Sequence, residues 1–93
     1  MIKVIIERHV AEELADHYDK IARDTLQKAM AAHGFISGES LRNLKDPNHR
    51  VVMATYRTVQ DWDRWHHSDE RRAMMDVISQ MLEGEEKITI LEH

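Results

Sequence analysis

The stretch Asp61-Trp62-Asp63-Arg64-Trp65-His66-His67-Ser68-Asp69 gathers both tryptophans and two of the seven histidines of the chain. Phe, Tyr and Trp together number five, so two indoles three residues apart is an unusual concentration. On a helical turn that spacing places the two rings on neighbouring ground. They either pin a short helix to the core or wall a pocket between helices and sheet, and in the second case Trp65 is the lining ring. Imidazole titrates near neutrality, so His66 or His67 beside such a pocket could take a proton as a general base. Adjacent residues on a helix point roughly 100° apart, so the two histidines cannot both face one metal ion. A solvated histidine at a helix end is the plainer reading of each.

Other chemistries are thinly supported. Glu13 and His17 stand four apart, with His9 upstream, but three well-placed ligands are not evident and the spacing is not a zinc signature. The chain has no cysteine, which excludes disulfides, thiolate metal sites and a cysteine nucleophile. No glycine-rich phosphate loop, nucleophile elbow or flavin fingerprint is present. Arg8, Arg42, Arg50 and Arg57 are scattered over strand-like segments; one could bind a carboxylate or phenolate, and strand-edge solubility explains them equally well. Met30, Met53, Met74, Met75 and Met81 read as core filler. A formal net charge of −4 without a Lys/Arg block leaves no electrostatic footprint for nucleic acid or an anionic membrane.

The elements that must position these residues follow from periodicity. Ile2 to His9 is β-rich, too short and too interrupted for a signal peptide or a spanning helix, so the expected compartment is the cytoplasm. From Glu12 the apolar residues Leu14, Tyr18, Ile21, Ala22, Thr25, Leu26, Ala29 and Met30 recur at threes and fours, predicting a long helix stopped at Gly34. Phe35 to Leu44 and Arg50 to Arg57 read as a hairpin around the Asp46-Pro47-Asn48 turn, with a bulge expected at Gly38. Thr58 to Asp61 has capping-box spacing, and Ser68 is a second N-cap candidate. Ala73, Met74, Val77, Ile78, Met81 and Leu82 form the stripe of the next helix, stopped at Gly84, and Lys87 to Leu91 is a last strand. Leu91-Glu92-His93 has the form of the scar left by a C-terminal histidine tag, and no function is placed on His93.

The order β-α-β-β-α-β predicts a ferredoxin-like α+β domain over residues 1–93, a four-stranded antiparallel sheet with helices on one face. At 42% hydrophobic and 32% charged, 93 residues make one globular domain with a thin core. Both faces of the sheet carry apolar residues: Val51 and Met53 alternate with Val52, Ala54 and Tyr56. A bare half-apolar face is costly in water, which predicts a homodimer closed sheet to sheet.

Three segments carry a resemblance: Phe35-Ile36-Ser37-Gly38-Glu39-Ser40-Leu41, Val51-Val52-Met53-Ala54-Thr55-Tyr56-Arg57 and Asp61-Trp62-Asp63-Arg64-Trp65-His66-His67-Ser68. Together they resemble the antibiotic biosynthesis monooxygenase (ABM) domain, over essentially the whole chain. The resemblance implies a dimeric α+β barrel with a pocket between helices and sheet in each subunit. Some members oxygenate quinol-like or polyphenolic substrates with O2 and neither metal nor flavin, the deprotonated substrate itself reducing oxygen. Trp65 corresponds to the family's recurrent pocket tryptophan, and His66 or His67 could be the proton acceptor. Trp62, Tyr56 and Met74 complete the expected substrate-binding set. Another branch degrades haem with an Asn on the first strand and a His ligand on the last helix. Those positions fall here on Ile6 or Glu7 and on Met75, so haem degradation is disfavoured. The resemblance thus implies a cofactor-independent monooxygenase acting on a quinol-like, polyphenolic or enolisable small molecule. The alternative is a non-catalytic ligand-binding or stress-related dimer of the same fold.

Overall fold

The computed structural model describes all residues, Met1–His93. Four strands, β1 (Ile2–His9), β2 (Phe35–Arg42), β3 (His49–Tyr56) and β4 (Lys87–Glu92), form one antiparallel sheet in the order β2-β3-β1-β4. Three helices, α1 (Ala15–Met30), α2 (Val59–His66) and α3 (Asp69–Ile78), connect them, with 3-10 turns at Glu12–Leu14 and Ser79–Met81. This is the expected ferredoxin-like topology, with the tryptophan segment forming a helix of its own. Leu91 and Glu92 pair with Lys3 and Ile2 in β4. No helix is long and apolar enough to cross a membrane.

Alternation along β1 fixes which face the helices cover. Ile2, Val4, Ile6 and Arg8 are buried, while Lys3, Ile5 and Glu7 between them are half-buried. Their partners on β3 are Tyr56, Ala54, Val52 and Arg50 on the covered face and Thr55, Met53 and Val51 on the other. The covered face splits into two cores. One joins Val4, Ile6, Ala29, Ala54, Tyr56, Trp62 and Trp65; the other joins Val10, Tyr18, Ala22, Ile78 and Met81. The uncovered face keeps Ile5, Met53 and Val51, with Leu41 42% and Leu91 49% exposed along its borders.

Three sequence expectations shift. The long helix begins as a 3-10 turn and ends at Met30, which is 57% exposed and packs no core. The bulge in β2 lies between Phe35 and Ser37, not at Gly38. Gly38 is required for a different reason: a Cβ there would come within 2.8 Å of the Phe35 ring, which lies across it. The helix stop expected at Gly34 comes earlier, at Met30; Gly34 lies in the turn that follows, at φ +84°, and a Cβ there would fall 2.2 Å from the Asp61 carboxylate. That close approach seats the start of α2 against the α1–β2 turn.

Candidate active site

α2 and α3 begin with the caps read from sequence. The Thr58 hydroxyl oxygen accepts from Asp61 N (3.1 Å) and donates to the Asp61 carboxylate (3.0 Å), while Ser68 Oγ accepts from Arg71 N (3.1 Å). With both ends fixed, α2 lays its two indoles inward: Trp62 is 2% and Trp65 8% exposed. Trp62 meets the Tyr56 ring edge-on (5.5 Å) and lies under the Arg71 guanidinium (5.7 Å).

Trp62, Trp65 and Tyr56 wall one cavity, closed by Ile6, Ala54 and Val52 from the sheet and by Ala22, Leu26 and Ala29 from α1. Its volume is about 40 Å³, and Thr25, Leu26, Phe35 and Val52 are the half-buried parts of its wall. Thr25 belongs both to this wall and to an outer groove of about 310 Å³ between α1 and α3.

Of the expected site residues, Trp65, Trp62 and Tyr56 are brought together at the cavity. Met74 is not: it lines the outer groove with Ile21, Lys28 and Val77. Neither histidine is part of the cavity wall. His67 is the exposed C-cap of α2, its Nδ1 2.9 Å from the Asp63 carbonyl oxygen. His66 stacks on Trp62 (5.0 Å) and meets His67 edge-on (4.7 Å). Its Nδ1 is sealed from solvent without a partner. Burial first, then Arg71 and His67, hold its pKa below the usual imidazole value.

This His66 shift has a stability consequence. Between its folded pKa and 6.5 the unfolded chain binds the proton and the folded one does not, so stability rises with pH across that window. Acidification below about pH 6.5 should therefore weaken the fold, and His66→Phe should remove that part of the loss. Urea unfolding of both proteins at pH 7 and pH 5.5 checks this; equal pH dependence would contradict it.

Of the charged part of the site, the sequence offered Arg8 and Arg50 among four arginines of which one could bind a carboxylate, and it did not single out Arg71 or Glu86. Arg8 and Arg50 do not sit at strand edges for solubility; both lie on central strands, 4% and 7% exposed. Arg50 pairs with Asp19 and donates to the Pro47 carbonyl (2.6 Å). Arg8 and Arg71 both bind Glu86, each at 2.9 Å, through different carboxylate oxygens. Burial pushes the Glu86 carboxyl up, but the two guanidiniums outweigh it and hold it below the usual carboxylate range. Arg8 also donates to the Tyr18 hydroxyl (3.1 Å) and reaches the Met75 sulfur (3.7 Å). Burial raises Tyr56 to about 12, so its hydroxyl is a donor at any physiological pH. The missed signal was Arg71 itself: with Met74, Met75 and Ile78 it completes an i, i+3, i+4, i+7 stripe, where an arginine is out of place.

The His9 and His49 rings stack on the uncovered face (4.9 Å), with Glu7 3.3 Å from His49; Glu13 and His17 are exposed on the helical side of the chain. No cluster of three or more His, Asp or Glu is arranged to hold a metal ion.

Fold and site together define a ferredoxin-like α+β domain whose helices close an aromatic cavity over one sheet face. The model of the antibiotic biosynthesis monooxygenase family matches residues 1–77, and the chain belongs to that family. Solved structures agree on the fold. A conserved protein from Methanosarcina mazei Go1 superimposes with TM-score 0.92 at 18% identity, over 98% of this chain and 90% of that one. An antibiotic biosynthesis monooxygenase gives 0.92 at 16%, over 100% and 98%. SnoaB, a cofactor-independent oxygenase from Streptomyces nogalater, gives 0.89 at 11%, over 99% and 91%. No curated protein matches this chain in sequence.

Proposed function

We propose that this protein is a homodimeric, cofactor-independent monooxygenase of the cytoplasm that oxidises a phenolic or enolisable ring compound with O2. The observation that carries this reading is the convergence of Trp62, Trp65 and Tyr56 on one apolar cavity between helices and sheet. Such walls exclude water and bind a planar ring through its faces and edges. In the reaction a phenol with an open para C–H becomes a quinone. The ring supplies the electrons to O2; one oxygen atom forms the new carbonyl and the other leaves as water. The chain would position the ring and keep the electron-rich anion away from bulk solvent.

At about 40 Å³ the cavity holds a few waters and no aromatic ring, so the ligand must displace wall side chains on entry. Leu26 and Phe35, the bulkiest of its half-buried side chains, are the ones whose movement opens most space. The apolar residues of the uncovered face, Ile5, Val51, Met53, Leu41 and Leu91, supply the dimer contact. Haem degradation is not proposed, since neither Ile6 nor Glu7 offers a side-chain amide at the expected position and the Met75 sulfur already faces Arg8.

Oxygen-electrode measurements with a panel of naphthalenediols, naphthols and anthrones test the function. Uptake above the spontaneous rate with at least one compound, with one oxygen atom of 18O2 in the product, is expected. No uptake across the panel would overturn catalysis in favour of a ligand-binding dimer.

A further inference from the structure

The cavity wall carries one more positive charge than it balances. Arg8 and Arg71 both line it, and Glu86 is the one carboxylate they share. The three nitrogens of Arg8 are all engaged, by Glu86, Tyr18 and Met75. Arg71 differs. It gives Nη2 to Glu86 and its face to Trp62, and its Nε and Nη1 have no partner in the chain. The Tyr56 hydroxyl has none either, although the side chain is 1% exposed and Arg71 only 6%. The one side-chain polar atom both sealed and unpartnered is His66 Nδ1, so the free donors of Arg71 and Tyr56 reach open space. The space they share is the cavity.

We propose that Arg71 and Tyr56 form an anion subsite, and that the cavity takes a planar ring bearing a single anionic oxygen group. The assignment rests on the cavity being the ligand site and adds the charge of the ligand to it. A monoanion would neutralise the excess charge and pair donors that have no partner in the chain. It also accounts for deprotonation where the cavity wall bears no imidazole and no carboxylate. A phenol or enol loses its O–H proton to bulk water on entry, because the Arg71 charge in an apolar wall stabilises the oxyanion that binds. Arg71 acts as a binding residue, and the proton has no protein acceptor in this step.

The test uses 4-nitrophenol, whose phenolate absorbs in the visible, against its neutral methyl ether 4-nitroanisole, followed by tryptophan quenching and absorbance. In the native protein the phenolate is expected to bind at least about tenfold more tightly than the ether. Bound nitrophenol should also ionise at lower pH than the free compound. Arg71→Gln should abolish both differences with ether binding retained, Arg71→Lys should keep part of them, and Tyr56→Phe should weaken phenolate binding alone. If Arg71→Gln does not fold, the native comparison and Tyr56→Phe decide. Equal binding of phenolate and ether overturns the anion subsite and leaves the cavity as a ligand site. Binding of neither overturns both.

Discussion

Glu86→Leu should destabilise the domain by about 3–5 kcal/mol, because it removes the shared partner of two buried guanidiniums. Arg8 and Arg71 are 4% and 6% exposed, and neither has another carboxylate. Arg8 would keep only the Tyr18 hydroxyl and a methionine sulfur. For a domain of this length total stability is about 5–14 kcal/mol, so the loss would be a large fraction of it. The melting temperature at fixed protein concentration should fall by at least about 12 °C. Replacing all three residues together, Arg8→Met, Glu86→Leu and Arg71→Met, should recover much of the loss, since no unpaired charge then remains buried. A fall under about 1 kcal/mol for Glu86→Leu alone would show that water reaches these guanidiniums freely. Acid should act in the same direction. The folded pKa of Glu86 is depressed, so its contribution is present above the ordinary carboxylate value and is lost as pH falls through the folded one.

The second large effect lies at Trp62. Its ring, 2% exposed, joins Tyr56, His66 and Arg71 at the junction of α2, α3 and the sheet. Trp62→Ala should cost about 3–5 kcal/mol, from lost burial and from a cavity that three rigid neighbours cannot close. Trp62→Phe keeps most of the apolar volume and should cost less than half as much. Urea unfolding followed by circular dichroism measures both. Equal losses would mean that indole contacts to His66 and Arg71, not volume, set the energy. Both tryptophans face the cavity, but Trp62 also packs against Tyr56, His66 and Arg71, while Trp65 reaches the surface beside Ser68.

Much of this architecture was legible along the chain because it is written in periods and punctuation. Alternation marked β1 and β3, the three-four spacing marked α1, and Thr58 and Ser68 marked helix starts that the structure keeps, whereas Gly34 and Gly84 fall in turns beyond helix ends at Met30 and Ile78. The tryptophan segment identified the cavity wall, since ring spacing and burial are local properties. The charged network was hidden because its members are far apart: Arg8 and Glu86 are separated by 78 positions, and only the pairing of β1 with β4 brings their segments together. His66 and His67 were legible as a pair and illegible in direction. At a helix end a few tens of degrees decide between cavity and solvent, and the stacking on Trp62 that turns His66 aside is a tertiary contact. Met74 failed to reach the cavity for the same kind of reason, as its neighbour Met75 takes the inward position beside Arg8.

The central claim is that the chemistry occurs at the cavity walled by Trp65 and away from the histidine pair at the end of α2. Steady-state oxygen uptake with the best compound of the panel, compared for native protein, Trp65→Leu and His67→Ala, tests it most directly. Trp65→Leu should lower kcat/KM by at least about tenfold without changing the light-scattering mass, and His67→Ala should leave it within about twofold. Full activity in Trp65→Leu together with a large loss in His67→Ala would contradict it.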